Sequence, residues 1–271
     1  MGKIIAFANQ KGGVGKTTTC INVAACIAAM DKKVLIIDMD PQGNASSGVG
    51  IDKSADIKTL YNVINKDIII DEAIMPTCLQ DLDIIPATVD LAGAEIDLVQ
   101  MNAREHVVKN ALNRIKDRYD FIFIDCPPSL GLLTVNALTA ADSVIIPIQC
   151  HFFPLEGLTQ LMNTIKLIIH HLNPELKIEG VVLTMKDNRS NLVAQVSEEV
   201  KKFFNKKVYD TYIPQNIRLA EAPSHGLPIL LYDTASKGSN AYLKLAEEIL
   251  ERNKISYKKI TKNTKFKVRS I

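Results

Sequence analysis

The segment Lys11-Gly12-Gly13-Val14-Gly15-Lys16-Thr17-Thr18 follows an apolar run at 4–8 and opens a stretch with helical spacing through Cys20, Val23, Ala24 and Ile27. A strand, a glycine-rich turn and a helix, in that order, make a cradle for phosphate. Glycines let consecutive backbone N–H groups turn inward, and the helix N-terminus adds partial positive charge. Lys16 stands where an ammonium meets β- and γ-phosphates. Thr17 offers a hydroxyl to Mg²⁺, and the hydroxyl and amide of Thr18 reach an α-phosphate. Gln10 occupies the place where the common G-x-x-x-x-G-K-[ST] pattern begins with glycine.

Three aspartates lie at or just beyond apolar runs: Asp38 and Asp40 in Ile36-Ile37-Asp38-Met39-Asp40-Pro41-Gln42, and Asp125 after Phe121-Ile122-Phe123-Ile124. A carboxylate at the carboxyl end of a buried strand can hold Mg²⁺ or its water shell beside Thr17, the Walker B role, and Asp125 is the candidate. A strand-end Asp is also a common turn former; what separates these three from that reading is the phosphate loop with which they occur. His106, His151, His170, His171 and His225 lie in none of these motifs and show no nucleophile or zinc spacing, so acyl transfer and zinc hydrolysis are not supported. A guanine site of the [NT]-K-x-D kind spaces Lys and Asp by two, whereas Lys186 and Asp187 are adjacent. ATP is favoured over GTP.

These groups need a scaffold. Apolar, β-rich runs at 4–8, 34–37, 82–86, 121–124, 144–148 and 180–184 alternate with longer amphipathic stretches. Runs this uniformly apolar are covered on both faces, so the expected fold class is α/β: a three-layer sandwich, a mostly parallel twisted sheet with helices on both faces, as in P-loop NTPases. Ligands of such sheets bind at the carboxyl ends of the strands. The expected organisation is one ATPase domain over residues 1–253 and a basic, flexible tail over 254–271.

The 271 residues are 47% hydrophobic and 23% charged, ordinary values for a globular protein with a buried core. No stretch reaches the ~18 apolar residues of a membrane span. The N-terminus reads as a strand rather than a secretion signal, so a cytoplasmic protein is expected. Five scattered cysteines suggest neither a disulfide framework nor a zinc site. The net charge of +2 hides an asymmetry: residues 251–271 carry about +7 and the rest about −5. Residues 265–271 alternate polar and apolar with period two, which is wrong for a membrane-lying helix.

The loop Lys11 to Thr17 matches K-G-G-x-G-K-[ST], and the chain resembles the ParA/MinD family of ATPases with its deviant Walker A loop. That resemblance implies that Lys11 reaches across an ATP-sandwich homodimer to the partner's phosphates. It implies that Asp40 orients the attacking water, that Asp38 supports the metal region, and that Pro127 and Pro128 belong to the second switch. Together with Lys11, Lys16 and Asp40 as catalytic groups, it assigns Lys11, Gly12, Gly13, Val14, Gly15, Lys16, Thr17 and Thr18 to ATP. Met185, Pro214 and Asn216 are assigned to the adenine, and Thr17, Asp38 and Asp125 to Mg²⁺.

The segments Lys186-Asp187-Asn188-Arg189 and Ile213 to Gly226 are similar to the chromosomal ParA branch, also called Soj. In that branch arginines at these positions hold double-stranded DNA without reading bases, which makes Arg189 and Arg218 DNA-binding candidates. A ParB-like partner that accelerates hydrolysis, association with the nucleoid, segregation of a chromosome or plasmid and control of replication initiation are implied in the same way. About ten residues precede the loop, so no N-terminal repressor domain is expected. Three rivals share the loop. A MinD-like membrane-associated division-site regulator needs an amphipathic C-terminal helix. An electron-transfer ATPase like nitrogenase iron protein needs a second cysteine ligand beside Cys126. A small-molecule ligase like dethiobiotin synthetase needs an acid substrate.

Overall fold

The computed structural model describes residues 2–150, 155–187, 191–261 and 264–269, without the side chains of 155–157 and 191–192. Among these, seven strands form one sheet: β1 (Lys3–Phe7), β2 (Val34–Asp38), β3 (Met75–Pro76), β4 (Leu82–Ile85), β5 (Phe121–Asp125), β6 (Ser143–Gln149) and β7 (Lys177–Thr184). Their order is β3-β4-β2-β5-β1-β6-β7. Every neighbouring pair runs parallel except β3 and β4. All six apolar runs read from the sequence are strands. The seventh, β3, is two residues long and contains proline, too short to show a period.

Alternation along the strands divides the interior into two layers. Ile4, Ala6, Leu35, Ile37, Ile122 and Ile124 enter one core, under the helices Leu91–Val99, Leu132–Ala140, Leu155–His171 and Asn191–Phe204. Ile5, Phe7, Val34, Ile36, Phe121 and Phe123 enter the other, under Lys16–Ala29 and Lys237–Arg252. This is the three-layer sandwich. Each of the larger aliphatic or aromatic side chains contributes roughly 1.5–3 kcal/mol by leaving water. The result for function is positional: β1 lies in mid-sheet between β5 and β6, so the loop that follows it emerges beside the end of β5, where Phe7 is the register partner of Asp125.

The basic tail departs from the expected flexible extension. Val268 forms an antiparallel bridge with Leu79. The Gln80 N–H donates to the Lys267 carbonyl at 2.8 Å, and the Arg269 N–H to the Cys78 carbonyl at 2.7 Å. Ile255, Tyr257, Ile260 and Phe266 pack against the second core. A period-two alternation is a strand pattern, and residues 264–269 use it as extended chain along the sheet edge. Among the described residues no helix is long and apolar enough to cross a membrane.

Candidate active site

The turn after β1 closes with Gly13 at φ 72° and Gly15 at φ 84°, left-handed backbone that glycine adopts without the steric cost of a Cβ. Gly15 is followed at once by the helix Lys16–Ala29, whose first amides lack partners within the helix. Outside contacts hold the turn. The Thr184 hydroxyl donates to the Val14 carbonyl at 2.8 Å, the Asn9 amide to the Pro147 carbonyl at 2.7 Å, and the Lys11 N–H to Asn9 Oδ1 at 3.0 Å. The loop is thus fastened to β6 and β7 as well as to its own strand.

The two lysines of the loop differ. Lys16 is only 6% exposed, and its Nζ donates to the Lys11 carbonyl at 3.2 Å. Burial lowers its pKa, against the pull of Asp125, Cys126 and Asp40, so an ammonium here gains by meeting phosphate. The Lys11 residue is exposed.

Asp38 and Asp125 both end buried strands and are register partners. Asp38 Oδ2 accepts the Ser46 N–H at 2.8 Å and the Ser46 hydroxyl at 2.7 Å, while Oδ1 accepts the Asp40 N–H at 3.2 Å. Both oxygens of Asp125 are buried without a hydrogen bond of normal geometry among the described residues. Burial first, and Asp38 second, push the Asp125 carboxyl well up, with Thr17 and Lys16 offsetting part of it. A buried carboxylate that lacks donors, with a threonine hydroxyl acting on it, is a hard-oxygen donor set that suits Mg²⁺. Burial also raises Asp38, against its hydrogen bonds from Ser46 and Asp40. Asp40 Oδ1 accepts the Gln42 N–H at 3.0 Å, and the residue lines the cleft.

That cleft, about 700 Å³, is walled by Gly12, Gly13, Gly15, Lys16, Thr17 and Thr18 on one side and by Asp40, Pro128, Met185 and Ala222 elsewhere. Of the expected loop contacts Val14 alone turns away: its side chain is buried at 2% exposure, leaving its N–H as the group that a phosphate could meet. A second cleft of about 420 Å³ shares Gly15, Thr18 and Met185 with the first and adds Pro214, Asn216 and Tyr242. The expected adenine contacts are therefore brought together next to the phosphate loop. Asn216 Oδ1 already accepts the Arg218 N–H at 2.8 Å, capping the helix Ile217–Glu221, which leaves its amide as the group available to a base.

The expected DNA arginines fare differently. Arg189 lies outside the described residues. Arg218 is half exposed and paired, with Nη1 2.9 Å from Glu221 Oε2 and Nε 3.4 Å from Asp233 Oδ2, so a phosphate would compete with two carboxylates. Sequence reasoning missed Asn9, Ser46 and Thr184. Thr184 is the last residue of β7, immediately before Met185, and that position was its only signal.

A strand-loop-helix phosphate cradle facing paired strand-end carboxylates defines a P-loop nucleotide hydrolase. A family model described as AAA domain matches residues 2–178. The chain is 58% identical over 249 residues, 92% of it and 98% of the relative, to the sporulation initiation inhibitor protein Soj of Bacillus subtilis. It is 52% identical to the chromosome partitioning protein ParA of Myxococcus xanthus, with 93% and 89% covered. Among solved structures it resembles a cobyrinic acid a,c-diamide synthase from Mycobacterium smegmatis with bound ATP analog and magnesium, at TM-score 0.82 and 33% identity, covering 96% of this chain and 100% of that one. The chain belongs to the ParA/Soj family of ATPases, and its reaction is the hydrolysis of ATP.

Proposed function

We propose that this ATPase drives partition of a chromosome or plasmid through an ATP-sandwich homodimer that binds double-stranded DNA without regard to sequence, and that a ParB-like partner speeds hydrolysis and so release. The observation that carries the reading is the contrast between buried Lys16 and exposed Lys11 in one loop: one ammonium serves the chain's own nucleotide, the other is accessible to a partner's. Thr17 and Asp125 would hold Mg²⁺, which supplies charge neutralisation on the phosphates. Asp38 supports that carboxylate from the neighbouring strand, and Asp40 orients the attacking water. Lys16, Lys11 and the loop amides stabilise the charge that develops in phosphoryl transfer.

Arg189 and Arg218 are the proposed DNA contacts. Each phosphate contact adds about −0.9 to the slope of log affinity against log salt, so four in a dimer give about −3.6 and a loss of roughly a hundredfold between 50 and 200 mM salt. Gel shifts on unrelated duplexes with no nucleotide, ADP, ATP and a non-hydrolysable analogue test this. Binding only with ATP or the analogue, indifferent to sequence and weakened by salt, supports the proposal, and binding in no state rejects it. The name of the 33% identical structure favours one rival, a ligase on the same loop; its ATP turnover would require a small acid and an amide donor and would ignore DNA.

A further inference from the structure

The C-terminal segment holds eight basic residues against one acidic over 251–271, and none of those described lines the nucleotide cleft. At its near end Lys258 and Lys267 reach the two oxygens of Asp31, at 3.2 and 3.3 Å. Asp31 sits at φ 61°, just beyond the carboxyl end of the phosphate-loop helix Lys16–Ala29. A carboxylate there opposes the helix dipole, and two ammonium groups relieve both it and the unpaired terminal carbonyls. Lys258 foremost, and Lys267 with it, hold the Asp31 carboxyl below its ordinary range.

At its far end Arg269 Nη1 meets Asp83 Oδ1 at 3.0 Å and the carbonyls of Thr77 and Leu82 at 3.4 Å each. The same Asp83 accepts the Tyr119 hydroxyl at 3.1 Å. Between these anchors lie the Leu79–Val268 bridge and the packing of Ile260 and Phe266 on the core. The segment also covers the weak side of the sheet, where the edge strand β3 spans only Met75–Pro76, the kind of edge that proteins protect.

We infer that residues 254–269 form an intramolecular strap that ties the carboxyl end of the phosphate-loop helix to the edge of the sheet beside β4, and that their charges serve Asp31 and Asp83 rather than a nucleic acid. This does not depend on the proposed DNA binding. Full-length protein is treated with limiting trypsin at low salt, and cleavage within 254–269 is followed by mass spectrometry beside Arg269→Gln, Asp83→Asn and the double variant. Each single change should speed cleavage about tenfold, and the double no further, because both changes break the same ion pair. ATP hydrolysis should stay unchanged, and added salt should loosen the unaltered chain as well. Cleavage of the unaltered chain as fast as that of the variants overturns the strap. So does a DNA-binding salt slope about one unit shallower in Arg269→Gln, which would make the segment a nucleic-acid arm.

Discussion

Asp38 and Asp125 face each other across neighbouring strands as register partners, and only Asp38 has its hydrogen-bonding capacity engaged: Ser46 and Asp40 donate to it, while both Asp125 oxygens are buried without such donors. Equal sequence positions thus carry different physical loads. Asp38 is a positioning group; Asp125 is a desolvated charge in wait of a cation. Asp125→Asn should therefore leave the metal-free melting temperature equal or higher, because it removes a buried charge next to another. It should also cut ATP hydrolysis by about a hundredfold or more. Asp38→Ala strands three donors and should cost about 3 kcal/mol of stability. Thermal melts with and without Mg²⁺, run beside a phosphate-release assay, check both; an Asp125→Asn protein that melts early yet still hydrolyses ATP reverses the assignment.

Lys16 and Lys11 should separate by experiment in the same way. Changing the buried Lys16 to Ala removes charge-assisted contacts to phosphate, worth about 1.5–3 kcal/mol, so nucleotide affinity should fall roughly ten- to a hundredfold. Lys11→Ala removes an exposed side chain and should leave the affinity of a monomer for ADP nearly intact while abolishing ATP-dependent dimerisation. Fluorescent-nucleotide titration and analytical ultracentrifugation read the two effects. Normal dimerisation of Lys11→Ala with the ATP analogue would remove Lys11 from the interface.

The phosphate loop, the strand-end carboxylates and the six main strands were legible because each leaves a local signature: glycines before a Lys-Thr, four apolar residues before an Asp, an apolar run between amphipathic stretches. What was not legible is what distant chain supplies. Nothing around Thr184 announces that its hydroxyl holds the Val14 carbonyl 170 positions earlier. Likewise nothing around Arg218 shows that Asp233, 15 residues on, would fold back to pair with it. The tail shows the same limit from the other side: its period-two alternation was visible, but the partner that turns alternation into a docked strand, Cys78 to Gln80, lies elsewhere in the chain.

The sheet is also closed at the far side by a charged clasp. Glu179 on β7 accepts the Lys3 ammonium at 2.6 Å and the Asn253 amide at 2.6 Å, joining the first strand, the last strand and the end of the final long helix. Burial opposes the charge, but Lys3 and Asn253 prevail and hold the carboxyl below its ordinary 4.5. A depressed carboxyl binds fewer protons folded than unfolded, so its contribution is complete above the unfolded value and is lost as pH falls through the folded one. Glu179→Gln should cost about 1–2 kcal/mol at pH 7, with the gap to the unaltered protein closing below about pH 4. Urea unfolding at several pH values measures it, and a gap that is constant with pH would show that packing, not charge, sets the cost.

Thr184→Val is the most selective probe of how the fold positions the loop. The change keeps the shape and removes one hydroxyl, leaving the Val14 carbonyl without the donor that reaches it from β7. The direct stability cost should be about 1 kcal/mol. The functional cost should be larger than that figure implies, because the Val14 carbonyl belongs to the peptide unit leading into Gly15, whose φ of 84° aims the amides at the start of the helix. A loop released at that point samples other conformations, and phosphate binding must then order it again, a cost that appears in affinity rather than in the chemical step. The expectation is an ATP KM raised about tenfold with kcat within a factor of about two. Steady-state kinetics and nucleotide-dependent melting temperatures give the answer: an unchanged KM with a lower melting point would make Thr184 a purely structural tether, while a loss confined to kcat would place its action on the transition state instead.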